Sequence, residues 1–377
     1  MSSTLRGVGR FLLRIGAGTN TSRPLWARLF SRLVFVFAGF ALVYMIANFP
    51  VSEQCPAGGP ECIAHYFRLI GWFWFAVFAM EAFGTVLDAI AIRAFASPDH
   101  DKLTLRHALL AQLSGRAINV VTPTGNLGEV VKMTVLTEYV SQSRAVSTIL
   151  LYNIVRFVLE LGFVALAAPI CAVLLPMSDG MRVMILTLGA GCLVISAGCY
   201  VLVRKGMLAS VARLLVRIRI LSKPRYARWE AKLRDVDDKL KLVSGARSRD
   251  RWLGILCVAL SQLTSMTLSL SILVAVGETL TLGFIGAYVV GGFVIYNIAV
   301  LVPMGLGLSE GGWFSLLRLM GEPPARVLAG QVMVMSRRVT LVAYAAIGLI
   351  LISASATVKR AKQRQHDAKL AAESRTE

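Results

Sequence analysis

Twice in this chain an apolar stretch is interrupted by a proline, two glycines and a carboxylate, a combination that an uninterrupted membrane helix does not tolerate. The first copy reads Thr122-Pro123-Thr124-Gly125-Asn126-Leu127-Gly128-Glu129 and the second Val302-Pro303-Met304-Gly305-Leu306-Gly307-Leu308-Ser309-Glu310. Each glutamate is followed 27 positions later by an arginine in apolar surroundings, Arg156 after Glu129 and Arg337 after Glu310. Proline stops a helix and glycine lets the backbone turn. Such a matched pair predicts two halves, each with a broken membrane segment directed at a central site.

Composition fixes the class. The chain is 56% hydrophobic with a mean hydropathy of +0.66, and its long uncharged runs read as transmembrane helices. The net charge of +19 raises the question of nucleic acid, which its location answers. Residues 1–32 hold six arginines and no acid, and the remaining excess lies in 204–251 and 359–377. The positive charge thus flanks membrane segments, where it faces anionic lipid headgroups on the cytoplasmic side. No nucleic-acid-binding motif accompanies it. Cys171, Cys192, Cys199 and Cys257 lie in apolar runs and read as small hydrophobes. Cys55 and Cys62 flank a short polar loop and read as a disulfide if that loop is outside, or as two free thiols. No cleavage pattern follows the arginine-rich N-terminus, so the first apolar run reads as an uncleaved span.

Charge parity orders the spans. Residues 1–32 form a basic cytoplasmic N-terminus. The first membrane half, 33–203, holds spans near 33–50, 69–92, 147–175 and 181–203. A basic cytoplasmic linker, 204–251, follows; its apolar positions at helical spacing read as interfacial helices or as a solvated connector. The second half, 252–358, holds spans at 252–276 and about 325–355. The basic tail 359–377 reads as disordered. Two segments remain. Residues 108–139 begin and end inside, and 280–320 begin and end outside, so neither is one crossing. Both read as re-entrant hairpins, entering from opposite faces and buried in protein or lining a wet cavity. The alternatives are a surface helix pair for 108–139 and two full spans for 280–320. The expected fold is an all-α polytopic membrane protein of two inverted-topology halves, in the bacterial inner membrane with both termini cytoplasmic.

Charge inside a bilayer is costly, so ionisable residues there are functional candidates. They are Arg116, Glu129, Lys132, Arg156, Glu160, Glu310, Arg337 and Arg338, with Glu81 and Asp88 second. Arg156 and Glu160, four apart on one helix face, read as a local pair or as separate site groups. Arg337 and Arg338 have no acid nearby on their helix, so their partners come from elsewhere: Glu310, Glu129 or a bound anion. The tips supply Pro123, Gly125 and Gly128, and Pro303, Gly305 and Gly307. A half-helix starting there exposes N–H groups suited to phosphate, with Arg116, Arg156 and Arg337 adding charge. Glu129 and Glu310 then balance arginines or meet a headgroup amine, or simply stabilise their own helix starts. No metal set, nucleophile motif or nucleotide loop is present, and no cofactor is expected.

At these motifs the chain resembles the flippase-like family named after the transmembrane region of lysylphosphatidylglycerol synthase. The residues that carry the resemblance are Pro123, Gly128 and Glu129; Arg156 with Glu160; Pro303, Gly305, Gly307 and Glu310; and Arg337. It spans most of residues 30–355, departing at Val155, where relatives often carry an acid, and at Met304, where a small residue is usual. The resemblance implies movement of a lipid such as an aminoacylated phosphatidylglycerol between leaflets. The soluble aminoacyl-transferase domain of some relatives has no counterpart here, so synthesis of a lysyl-lipid by this chain alone is not expected.

The reading is therefore a lipid flippase whose substrate headgroup enters a cavity between two hairpins. The alternative is a membrane-embedded transferase acting on a lipid headgroup or polyprenyl phosphate, and a third is a scaffold for lipid synthesis. A homodimer is compatible with such a bundle, without a residue that argues for it.

Overall fold

The computed structural model describes residues 60–97, 103–121, 127–205, 248–300, 302 and 305–373. Every regular element there is a helix: α1 (Pro60–Ile70), α2 (Phe73–Phe95), α3 (Leu105–Val121), α4 (Leu127–Leu136), α5 (Gln142–Leu174), α6 (Asp179–Lys205), α7 (Ser248–Ala275), α8 (Leu282–Ala299), α9 (Leu308–Leu319) and α10 (Pro324–Glu373). Six are long and apolar enough to cross a membrane: α2, α5, α6, α7, α8 and α10. The chain is an all-α, multi-pass membrane protein. The expected span at 33–50, the linker helices, the Cys55–Cys62 disulfide and the tip residues Pro123, Gly125 and Pro303 lie outside the described residues.

Local chemistry sets several helix starts. Ser141 caps α5 by accepting from the Arg144 N–H, and Thr281 caps α8 by accepting from the Phe284 N–H. The run expected as one span from residue 69 begins instead at Phe73, because the chain turns between α1 and α2. The tail from residue 359, expected to be disordered, continues α10 as helix to Glu373. The Ala, Lys, Arg and Gln residues there are strong helix formers, and that propensity prevails over the polarity of the segment.

α3, α4 and α9, at 17, 10 and 12 residues, are shorter than the ~20 residues of a crossing. α3 packs on α4, and α8 on α9, so each pair is a helical hairpin with a longer first arm. α8, at 18 residues, is also apolar and long enough to span on its own. The two hairpins are anchored at opposite ends of the bundle. One apolar core joins the C-terminal part of α2 to the N-terminal parts of α3, α5 and α7 and the end of α4, through Phe95, Leu103, Leu136, Ile149 and Val258. The other joins the N-terminal parts of α2, α8 and α10 to the ends of α7 and α9, through Val77, Ile272, Phe284, Leu317 and Val332.

Polar contacts repeat this arrangement. The His107 ring near the start of α3 stacks on Tyr139, just past the end of α4, with centroids 3.7 Å apart. At the other hairpin Arg326 bonds both Glu278 before α8 and Glu322 after α9, each at 2.8 Å. Twelve residues further along α10, about 18 Å of helix, Arg338 reaches the tip of that same hairpin. Close backbone approach holds α3 to α4: a Cβ on Gly128 would lie 2.0 Å from the Gly115 carbonyl oxygen, so only glycine fits.

Candidate functional site

Between the two apolar cores runs a chain of buried ionic groups. Its hub lies on α2, where Glu81, Thr85 and Asp88 follow one another at helical spacing and face inward. The Glu81 carboxylate is shared. One oxygen pairs with Arg116 of α3 and the other accepts from Arg337 of α10 at 2.7 Å. Arg116 also donates to Thr85 Oγ1 at 2.9 Å and to Asp88 at 3.2 Å. Arg337 donates to Ser265 Oγ of α7 at 3.0 Å. One carboxylate thus ties α2 to one arm of the first hairpin and to the last helix.

Asp88 is fully buried and more heavily loaded. The same oxygen that meets Arg116 accepts from the Gln112 amide at 2.9 Å and lies 3.8 Å from Arg156. Arg156, in the middle of α5, donates to the Tyr152 hydroxyl at 3.1 Å. Its backbone carbonyl accepts from the Gln262 amide of α7 at 2.6 Å, which fixes this turn of the helix. The Arg156 side chain is 40% exposed, against 21% for Arg116 and for Arg337. Three arginines therefore face two carboxylates, and the least occupied of the three is Arg156.

Two further pairs close the hairpins. Glu129, in the first turn of α4, bonds Lys132 at 2.9 Å and accepts from Asn153 of α5 at 2.8 Å. Lys132 is buried and lies over the Tyr152 ring, 5.3 Å from its centroid. At the second tip Gly305 and Gly307 take left-handed backbone angles, φ 64° and 77°, which glycine adopts without strain. The turn they make presents the Gly307 N–H to the Glu310 carboxylate at 2.9 Å. Glu310 is fully buried and pairs with Arg338, which also donates to the Gly305 carbonyl at 2.9 Å.

The structure gathers Arg116, Arg156 and Arg337 around Glu81 and Asp88, and places Glu129 and Glu310 at the two tips. Arg337 and Arg338 do find their partners on other helices: Glu310, one of those expected, meets Arg338, while Arg337 turns to Glu81, and Glu129 meets Lys132 and Asn153. Arg156 and Glu160 do not form the local pair that four-residue spacing allows, because the guanidinium turns toward Tyr152 and Asp88. The tips also do not offer these particular N–H groups to a phosphate. The Gly128 N–H is taken by Asn119 Oδ1 at 2.6 Å and that of Gly307 by Glu310. At both, a side chain within the protein has satisfied the orphan donor of a helix start.

Sequence reasoning ranked Glu81 and Asp88 second and passed over Thr85, Gln112, Asn119, Asn153, Tyr152 and Ser265. A signal was present for Glu81 and Asp88 and for three of the six passed over. Glu81, Thr85 and Asp88 form one stripe on α2, and Gln112 with Arg116, like Tyr152 with Arg156, are four apart on one helix face.

Residues 59–348 match the family model of the lysylphosphatidylglycerol synthase TM region. The chain belongs to this family. Neither the curated proteins nor the solved structures contain a significant match. Membership joins the six apolar helices to lipid handling in a membrane, and the ionic chain just described lies wholly within the matched residues.

Proposed function

We propose that this protein moves a phospholipid between leaflets of the bacterial inner membrane, with Arg156 receiving the headgroup phosphate. The observation that carries the reading is the state of Arg156. A guanidinium at the centre of an apolar span costs a few kcal/mol to place there. Arg156 nevertheless keeps 40% of its side chain exposed and, among the described residues, makes one side-chain hydrogen bond, to Tyr152. Its carboxylate neighbour, Asp88, is already engaged by Arg116 and Gln112. A phosphate is the ligand that such a fork-shaped donor accepts best.

The hairpins supply the path. We take α3–α4 and α8–α9 as re-entrant from opposite faces, which the two separate anchoring cores support. The depth of about 18 Å from Arg326 to Arg338 is a little over half of a ~30 Å hydrocarbon core. Alternating access then needs the short arms α4 and α9 to loosen in turn while Glu81 and Asp88 keep Arg116 of α3 and Arg337 of α10 in place. The acyl chains stay in the bilayer throughout.

The test is leaflet exchange of a fluorescent phosphatidylglycerol in liposomes containing the purified full chain. The reading expects exchange well above empty liposomes, lost in Arg156→Gln while that variant elutes and melts like the wild type. Exchange no faster than in empty liposomes refutes it.

A further inference from the structure

One carboxylate within the spans is left over by the site just described. Glu160 lies one turn beyond Arg156 on α5, part-buried and within the apolar span. Among the described residues no cation lies within ion-pair distance of it, and no side chain donates a hydrogen bond to it. The other intramembrane acids differ. Glu81, Asp88, Glu129 and Glu310 each meet at least one Arg or Lys.

The groups around Glu160 are few. On its own helix stand Arg156 and Tyr152. Beyond Arg156, α2 contributes Asp88, α3 contributes Arg116, and α4 contributes the Glu129–Lys132 pair, all already bonded to one another. α7 offers the Gln262 amide, which is spent on the Arg156 carbonyl. α8 brings Tyr296 to the Arg156 side, and α6, which packs on this stretch through Cys192 and Ser196, has no charged residue between Val183 and Val203. Among the described residues, the charge that acts on Glu160 is therefore that of Arg156.

We infer that Glu160 is a proton-binding site coupled to the phosphate site, so that a lipid phosphate and a proton bind together. This rests on the headgroup reading above. An ionised carboxylate without a partner is expensive in an apolar span, and the positive field of Arg156 offsets part of that expense when the site is empty. A phosphate on Arg156 cancels the field. Glu160 then takes a proton from water on the open side and becomes a neutral carboxylic acid. When the phosphate leaves, Arg156 again favours the carboxylate and the proton is released to that side. By linkage the effect is mutual: protonation strengthens phosphate binding by the same factor. The two residues are one turn apart on α5, and a unit charge at about 8 Å in a medium of effective dielectric about 20 alters proton affinity by on the order of 30-fold. The arrangement lets a proton gradient bias the direction of lipid movement without a nucleotide.

The experiment is isothermal titration of dihexanoyl phosphatidylglycerol into the detergent-solubilised full chain, in two buffers of different protonation enthalpy. Wild type is expected to take up a substantial fraction of a proton per lipid bound. Glu160→Gln, which mimics the protonated form, is expected to bind at least as tightly and to take up none. Glu160→Asp should retain uptake and serves as the second variant if the first fails to fold. Binding without uptake in the wild type overturns the proton site and leaves the headgroup reading standing. Uptake that persists in Glu160→Gln, or is absent from a folded Glu160→Asp, also overturns it. No binding by the wild type removes the headgroup reading, and the proton site with it.

Discussion

Replacing Glu81 by glutamine removes one charge and almost no volume, and it should be among the most damaging substitutions in the protein. Glu81 is 6% exposed and holds two guanidiniums from different helices. The glutamine amide has one oxygen to offer and turns an NH2 group toward one of the two arginines. Removing one partner from a buried ion pair costs about 3–5 kcal/mol, because the charge left behind is uncompensated. Arg116 keeps Asp88 and Thr85, whereas among the described residues Arg337 keeps Ser265 alone, so most of the cost falls on α10. At roughly 2 °C per kcal/mol for a chain this large, thermal unfolding in detergent should move down by about 6–10 °C. Arg337→Gln alone should also destabilise, since it strands half of Glu81. The double variant should lose less than the sum, with a coupling of about 1–3 kcal/mol. A melting temperature unchanged by Glu81→Gln, or strict additivity in the cycle, refutes the shared-carboxylate account.

Other predictions follow from the same contacts. Gly128→Ala should unseat the first hairpin and lower stability strongly, because its Cβ has no room against Gly115 and Asn119; Gly162→Ala, with nothing within 4 Å, should be neutral or stabilise by up to about 1 kcal/mol, both read by thermal melts. Lys132→Met leaves Glu129 with Asn153 as its side-chain partner and should destabilise, and Glu129→Gln in the same chain should recover part of the loss in a thermal cycle. Arg326→Ala opens the clip across the ends of α8 and α9; hydrogen exchange should rise at Glu278–Leu282 and Leu319–Pro323 and stay unchanged in α3 and α4.

The architecture was legible where it depends on long-range averages of the sequence. Apolar runs of 18 residues or more mark α2, α5, α6, α7 and α10 because the bilayer imposes a length, and the broken motifs mark the hairpins because proline and glycine act locally. Charge parity assigned both ends of 108–139 to one side of the membrane and both ends of 280–320 to the other; the contacts themselves, His107 on Tyr139 and Arg326 on Glu278 and Glu322, are not written in charge parity. Partner choice was not legible. Which carboxylate meets Arg337 depends on how α2 lies against α10, and Glu81 and Arg337 are 256 positions apart. The uncharged polar residues were missed for a related reason. Asn119, Asn153 and Ser265 are unremarkable in a single sequence and acquire a role only once a charge from another helix is set beside them. The tail shows the reverse case: polarity suggested disorder, and local helix propensity determines the outcome.

A lipid phosphate that comes to Arg156 between the hairpins can be caught there by photo-crosslinking of a phosphatidylglycerol with a diazirine in the headgroup, in liposomes containing the full chain, with adducts mapped by mass spectrometry. The account predicts adducts on α5 around Tyr152–Glu160 and on the facing turns of α2 and α7, depleted in Arg156→Gln. Adducts confined to the helix ends, with none on α5 and no change in Arg156→Gln, contradict it.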